Sequence, residues 1–243
     1  MFRRAKNYDA GEKFLGRASG GRRRGREPEP AEQDPETPDA DDRAADTPAA
    51  GPPVLPEGNG PFDSAVVDRD AIAASDHYLD LGSLLIRVPE GAELQLPVSE
   101  DDQRVLAALV VLPDSAVELS VFAAPRSGGL WEQVAEEIAE NAVAAGGTAE
   151  KDDEAEALEL RLSVPGDEGV VQQQRLWGFD GPRWMLRANI VGVAASGGSA
   201  LTEIRSVMDG IIVTRGSGAM APREPLPLQL PAGMTREQEH TDG

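Results

Sequence analysis

The chain has 243 residues, 43 acidic against 23 basic, and a formal charge of −20 at neutral pH. It contains no cysteine, which excludes disulfides, thiolate nucleophiles and cysteine-ligated zinc. It has no run of about 18 apolar residues to cross a membrane and no apolar stretch behind the charged N-terminus to act as a secretory signal, so a soluble, cytoplasmic protein is expected.

The charge is unevenly placed. Residues 1–26 carry nine Lys or Arg against two acidic residues, and residues 27–63 carry eleven acidic residues against one Arg. Residues 1–62 lack apolar periodicity and are expected to form a disordered tail, basic over 1–26 and acidic over 27–62. Pro, Gly and charge leave them too little apolar surface to offset the entropy of ordering. The block Arg22-Arg-Arg-Gly-Arg26 has the composition of an arm for nucleic acid or an anionic surface. The acidic stretch from Glu27 to Asp46 competes for it and favours a self-neutralising tail. The remaining body is acidic and repels polyanions, so nucleic acid is not expected except through residues 1–26.

Apolar patterning occupies residues 63–215, enough for a single globular domain with one well-buried core. Asp70 to Asp76 has a weak helical or turn signal. Leu84, Ile86 and Val88 alternate with Leu85 and Arg87, a strand ending at Pro89-Glu-Gly91. Leu94, Leu96 and Val98 predict a second strand, placed at an edge by Pro97. Val105 to Leu112 is nearly all apolar and predicts a central strand, returning through Pro113-Asp-Ser115 into Val117, Leu119 and Val121 as a hairpin. Leu130, Val134, Ile138 and Ala142 recur at helical spacing, with Ser127 or a neighbouring Gly as cap and Gly146-Gly147 as stop. Leu158, Leu160, Leu162 and Val164 alternate with polar residues. Val170 to Phe179 and Arg183 to Val191 predict two strands about the turn Asp180-Gly-Pro182. In the latter strand Trp184, Leu186, Ala188 and Ile190 share one face, and Met185, Arg187 and Asn189 the other. A short helix presents Leu201, Ile204, Val207 and Met208 inward, and Ile211 to Thr214 returns as a strand. Residues 216–243 form an extended Pro/Leu segment and a disordered end. Within that segment Leu226, Leu228 and Leu230 at spacing two are expected to stripe the domain, with partner binding as the alternative. The class is therefore α+β, an antiparallel sheet of about six to seven strands with one long and one short helix.

Catalytic patterns are thin. The two histidines, His77 and His240, flank the patterned region, which disfavours a Ser-His-Asp arrangement. Glu136, Glu137 and Glu140 read as the wet side of a helix. Asp101-Asp102 and Asp152-Asp-Glu154 lack the spacing of a calcium loop, and no phosphate-binding glycine loop is present. No catalytic residue, metal ligand or cofactor site is therefore assigned. Aromatic–basic pairs carry more information, since Trp and Arg concentrate at binding hot spots. Arg126, Trp131, Trp177, Arg183 and Arg187 form the candidate interaction surface. Trp184 is assigned to the core, while Trp131 and Trp177 stay open between core and surface.

Four ordered blocks carry a resemblance. They are Asp80-Leu-Gly-Ser-Leu-Leu-Ile-Arg-Val-Pro-Glu-Gly91, Phe122-Ala-Ala-Pro-Arg-Ser-Gly-Gly-Leu-Trp131, Asp180-Gly-Pro-Arg-Trp-Met-Leu-Arg187 and Met220-Ala-Pro-Arg-Glu-Pro-Leu-Pro-Leu228. Over about residues 60–231 the chain resembles an actinobacterial family catalogued as domain of unknown function 3710. The order of elements is similar to PsbP-like α/β/α folds, which implies helices on both sides of the sheet and transfers no residue role. The expected function is a non-enzymatic binding or adaptor domain for an unidentified protein partner. The alternatives are a nucleotide-related enzyme or ligand-binding protein with an Arg/carboxylate cleft, and anionic-surface binding through the basic arm.

Overall fold

The computed structural model describes residues 54–99, 104–152, 158–166 and 170–231, all within one compact unit, Pro48–Gly243. A long antiparallel hairpin, β9 (Val171–Gly181) and β10 (Trp184–Gly192), holds its centre. A second hairpin, β5 (Ala108–Val111) and β6 (Ser115–Ala123), pairs with β10 from Trp184 opposite Ala123 to Gly192 opposite Ser115. With β4 (Glu93–Gln95), β7 (Thr148–Asp152) and β8 (Glu159–Pro165) they make a seven-stranded antiparallel sheet, ordered β4-β5-β6-β10-β9-β8-β7. The expected antiparallel α+β architecture is present. The central strand is β10; β5, expected in the centre, lies second from the edge.

The first departure is a second sheet. β1 (Phe62–Asp63), β2 (Leu79–Asp80), β3 (Leu84–Ile86) and β11 (Ile212–Val213) are ordered β1-β11-β3-β2, with β1 parallel to β11. β3 and β11, expected in the main sheet, belong here instead. All three residues of β3 are buried: Leu84 and Ile86 face the main-sheet core, and Leu85 faces Ile72, Tyr78 and Ile212. A strand buried on both faces has no polar alternation to reveal it. The short helix α1 (Arg69–Ala73) covers the far side through Ile72.

The second departure is β7, a polar edge strand of sequence Thr-Ala-Glu-Lys-Asp for which no strand was expected. Its place rests on backbone pairing to β8, and charged residues suit an edge because they oppose further strand addition.

The two faces of the main sheet are covered unequally. Helix α2 (Leu130–Ala144) lies over β7–β10 and buries Leu130, Trp131, Ala135 and Ala142 against Leu160, Leu162, Leu176 and Met185. Of the expected Ser127 or neighbouring Gly, Gly129 holds the cap position, left-handed at φ 73°, so the helix start has no side-chain cap of its own. The Asp180 carboxylate, from the β9–β10 hairpin, accepts from the Trp131 backbone N–H at 3.2 and 3.3 Å. A tertiary cap thus supplies the acceptor that an orphan first-turn donor needs. On the opposite face α3 (Gly198–Met208) contributes Ile204, Val207 and Met208 to the larger core, beside Leu84, Ile86 and Val213.

The Pro/Leu segment docks on this core, with Leu226 and Leu228 buried. Beyond the end of β5 it runs along β6: Ala123 N–H donates to the Glu224 carbonyl at 2.8 Å, and Leu226 N–H to the Val121 carbonyl at 2.9 Å. Pro225 stands opposite Phe122, in the pairing whose missing N–H would point away from β6. At the other end Leu55 and Phe62 pack against the Ile72–Tyr78 cluster, so the packed unit extends past both expected boundaries, 63 and 215. The expectation of disorder over residues 1–53 and 232–243 lies outside the described residues.

Candidate functional site

The five residues expected to share a surface are dispersed. Arg126 is exposed in the loop after β6, with no ion pair among the described residues. Trp131 and Trp177 are each 2% exposed and belong to the interior, a correction to their placement on a surface. Trp131 lies in α2 against Gly178, where a Cβ would collide with the ring, and its indole N–H donates to the Leu158 carbonyl at 2.9 Å. Trp177 lies on the opposite sheet face, its neighbour on β10 being Ala188 of the larger core. Arg183 is half-buried in the hairpin turn at φ 66°. The loop between the paired Gly181 and Trp184 is Pro182-Arg183, one residue later than the expected turn. Only Arg187, half-buried on the α2 side of β10, faces an uncovered part of the sheet. Trp184 is buried, as assigned, with its indole N–H donating to Asp63 Oδ2 at 2.6 Å.

A buried polar cluster surrounds Trp177. Its indole N–H donates to Glu159 Oε2 at 2.7 Å, while Arg175 and Arg161 donate to Glu159 Oε1, each at 2.7 Å. Arg175 Nε also donates to the Ala195 carbonyl at 3.1 Å. Burial works to raise the Glu159 pKa, but the bonds from Trp177, Arg175 and Arg161 outweigh it and hold the carboxyl below its ordinary value. These groups satisfy one another, which suits an architectural cluster. Glu159 had the polar place in an alternating strand pattern, yet it is 5% exposed because Trp177 and Arg175 of the neighbouring strand close over it, while Arg161 on the same face of β8 stays exposed.

Across the sheet from that cluster, no helix among the described residues covers the α2-side face over β4–β6. Leu109, Val111 and Val191 are half-buried there and belong to none of the apolar clusters. Arg187 stands among them, its guanidinium 5.6 Å from the Phe122 ring centroid. Its one ion pair among the described residues, with Glu118, is long at 3.8 Å. Burial lowers the Arg187 pKa, and the Glu118 charge only partly restores it. Beside it Asn189 Oδ1 is buried with no hydrogen-bond partner. Such groups are costly unless something pairs with them.

At the end of the β9–β10 hairpin is a cleft of about 410 Å³, lined by Asn59, Asp63, Gly181, Pro182, Trp184 and Arg205 among others. Arg205 sits over Trp177, its guanidinium carbon 4.2 Å from the ring centroid. Among the described residues no carboxylate pairs with it. Sequence reasoning missed Arg205 and Asp63, since a single charge beside Ile204 in a helical stripe looks like ordinary solvated surface. The described residues hold no cluster of His, Asp and Glu arranged for a metal ion and no helix long and apolar enough to cross a membrane. The acidic pair Asp101-Asp102 and residues 153–154 lie outside the described residues, as does His240; Asp152 pairs with Arg161 at 2.8 Å.

The model of a family described as "Protein of unknown function (DUF3710)" matches residues 60–237. No curated protein matches the chain. Among solved structures, cyanobacterial PsbP (CyanoP) from Synechocystis sp. PCC 6803 is similar at 11% identity over 54% of this chain and 86% of that one, with a TM-score of 0.36.

Proposed function

The chain belongs to that family, and from this premise we propose that its folded body is a non-enzymatic protein-binding module. The partner docks on the open α2-side half of the main sheet. It lays apolar side chains over Leu109, Val111 and Val191 and brings a carboxylate to Arg187. The observation that carries this reading is Arg187 itself, a half-buried guanidinium whose one ion pair among the described residues is long, at 3.8 Å, set among half-buried apolar side chains. A planar cation with unused donors in a drying surface is what a partner carboxylate complements.

The test places a photo-crosslinking residue at Val111, and as a control at Glu136 on the exposed side of α2, in the native host. The expected outcome is one protein captured from position 111 and not from 136. It binds the purified chain, and Arg187→Glu weakens that binding by at least about tenfold. Exchange of the partner's carboxylate for Arg then restores the Arg187→Glu complex. Capture that is equal at both positions, or binding indifferent to Arg187→Glu, overturns the reading.

A further inference from the structure

We propose that the cleft at the β9–β10 turn is a binding site for a small organic anion, whose carboxylate or phosphate oxygens are held by Arg205. The site is on different residues from the docking face above and does not depend on it.

Three charged side chains line the cleft, and two of them are engaged. Asp63 accepts from the Trp184 indole N–H at 2.6 Å and from the Ala65 backbone N–H at 2.8 Å. Asp180 accepts from the Trp131 backbone at the start of α2. The third, Arg205, makes no hydrogen bond or ion pair with its guanidinium among the described residues; its contact is with the Trp177 ring, over which its guanidinium carbon sits at 4.2 Å from the centroid. Stacking uses the flat face of a guanidinium and leaves its in-plane N–H groups free, the edge that grips a carboxylate or phosphate in two parallel bonds.

The stack is also fixed from below. Trp177 is buried and held through its indole N–H by Glu159, which is itself held by Arg175 and Arg161. Arg205 therefore rests on a platform that does not rotate away, so little side-chain entropy is lost when a ligand arrives. The volume, about 410 Å³, suits a small molecule. The aromatic and prolyl wall of Phe179, Pro182 and Trp184 suits an apolar or ring-bearing portion. The acidic body repels a polyanion, which restricts the ligand to a small one carrying one or two charges.

The experiment titrates full-length protein with inorganic phosphate and, in a separate arm, with benzoate, following the three indole N–H resonances by NMR. Ionic strength is held constant with sodium chloride. The expected result is a saturable shift of the Trp177 and Trp184 signals with at least one of the two anions. A stronger response to benzoate assigns a carboxylate, and a stronger response to phosphate assigns a phosphate. Arg205→Gln weakens the binding by about tenfold or more, whereas Arg126→Gln, which removes an exposed arginine elsewhere, leaves it unchanged. Shifts that stay linear, that chloride reproduces, or that persist in Arg205→Gln overturn the proposal. Should Arg205→Gln fail to fold, the wild type and Arg126→Gln still decide, because the proposal requires saturation in both.

Discussion

Glu159 is a buried carboxylate on which the buried Arg175 and Trp177 and the exposed Arg161 converge. Removing its charge leaves Arg175, 8% exposed, without its counter-ion. Glu159→Gln is therefore expected to cost about 3–5 kcal/mol at pH 7, as when one partner of a buried pair is deleted; urea unfolding measures it. The folded pKa lies below the ordinary glutamate value, which is about 4.3 in an unfolded chain. The ionised form's contribution is thus present above that value and is lost as the pH falls through the folded pKa. The gap between wild type and Glu159→Gln should accordingly narrow in acid. Gly178 poses a steric question: a Cβ there meets Trp131, so Gly178→Ala is expected to cost about 1–3 kcal/mol by overpacking. The double variant with Trp131→Ala should cost less than the sum of the two singles. Arg183 is strained in the opposite sense. Its φ of 66° suits glycine, and its side chain has no partner among the described residues. Arg183→Gly is expected to keep or raise the thermal midpoint, within about 1 kcal/mol; a clear loss would show that its side chain does bind. At this scale the sequence was legible where a period of two runs on along a strand, as at Trp184, Leu186, Ala188 and Ile190, which share one face and are all buried in the larger core. It misled at Glu159 and Trp177, where polar and aromatic residues are enclosed between layers.

The elements most readable in advance were α2 and the two hairpins, because each is long enough to repeat its period. β7 was not, because its charged sequence shows no apolar alternation, and although β3 and β11 were expected as strands, their pairing in a separate small sheet was not, since strands of two or three residues are recruited by their surroundings. The Pro/Leu segment lies between these cases: leucines at spacing two predicted docking, and Leu226 at 3% exposure is the result. Leu226→Ala is expected to cost about 2–5 kcal/mol, read as a lower urea midpoint at unchanged slope. Pro225→Ala should behave differently. It leaves both flanking bonds to β6 in place and adds an N–H on the outer edge. Little stability should be lost, but sedimentation should reveal self-association of the kind an exposed strand edge invites. A monomer at all concentrations would assign edge protection to something other than the prolines.

The whole molecule carries its charge against its own compactness. The chain's formal charge is −20, and self-repulsion of that kind is screened by salt. The thermal midpoint is expected to rise by a few degrees from low to near-physiological salt; a fall would mean that surface ion pairs such as Arg69–Asp80 outweigh repulsion. Coverage of the main sheet is diagonal, with α2 over β7–β10 on one side and the larger core over β5, β6 and β10 on the other. No one-dimensional pattern announces which quarter stays bare, and for that reason the surface around Arg187 was only half legible. The Pro/Leu segment has one further consequence, for synthesis on the ribosome. β6 is made early, yet the chain that borders its far end, Glu224 to Leu226, emerges long afterwards. Until then that stretch of strand and the pocket for Leu226 stand open, and pairing between distant parts of a chain is slow. The nascent protein thus passes through a stage with an unpaired strand end exposed, when a chaperone or a neighbouring chain has its best access.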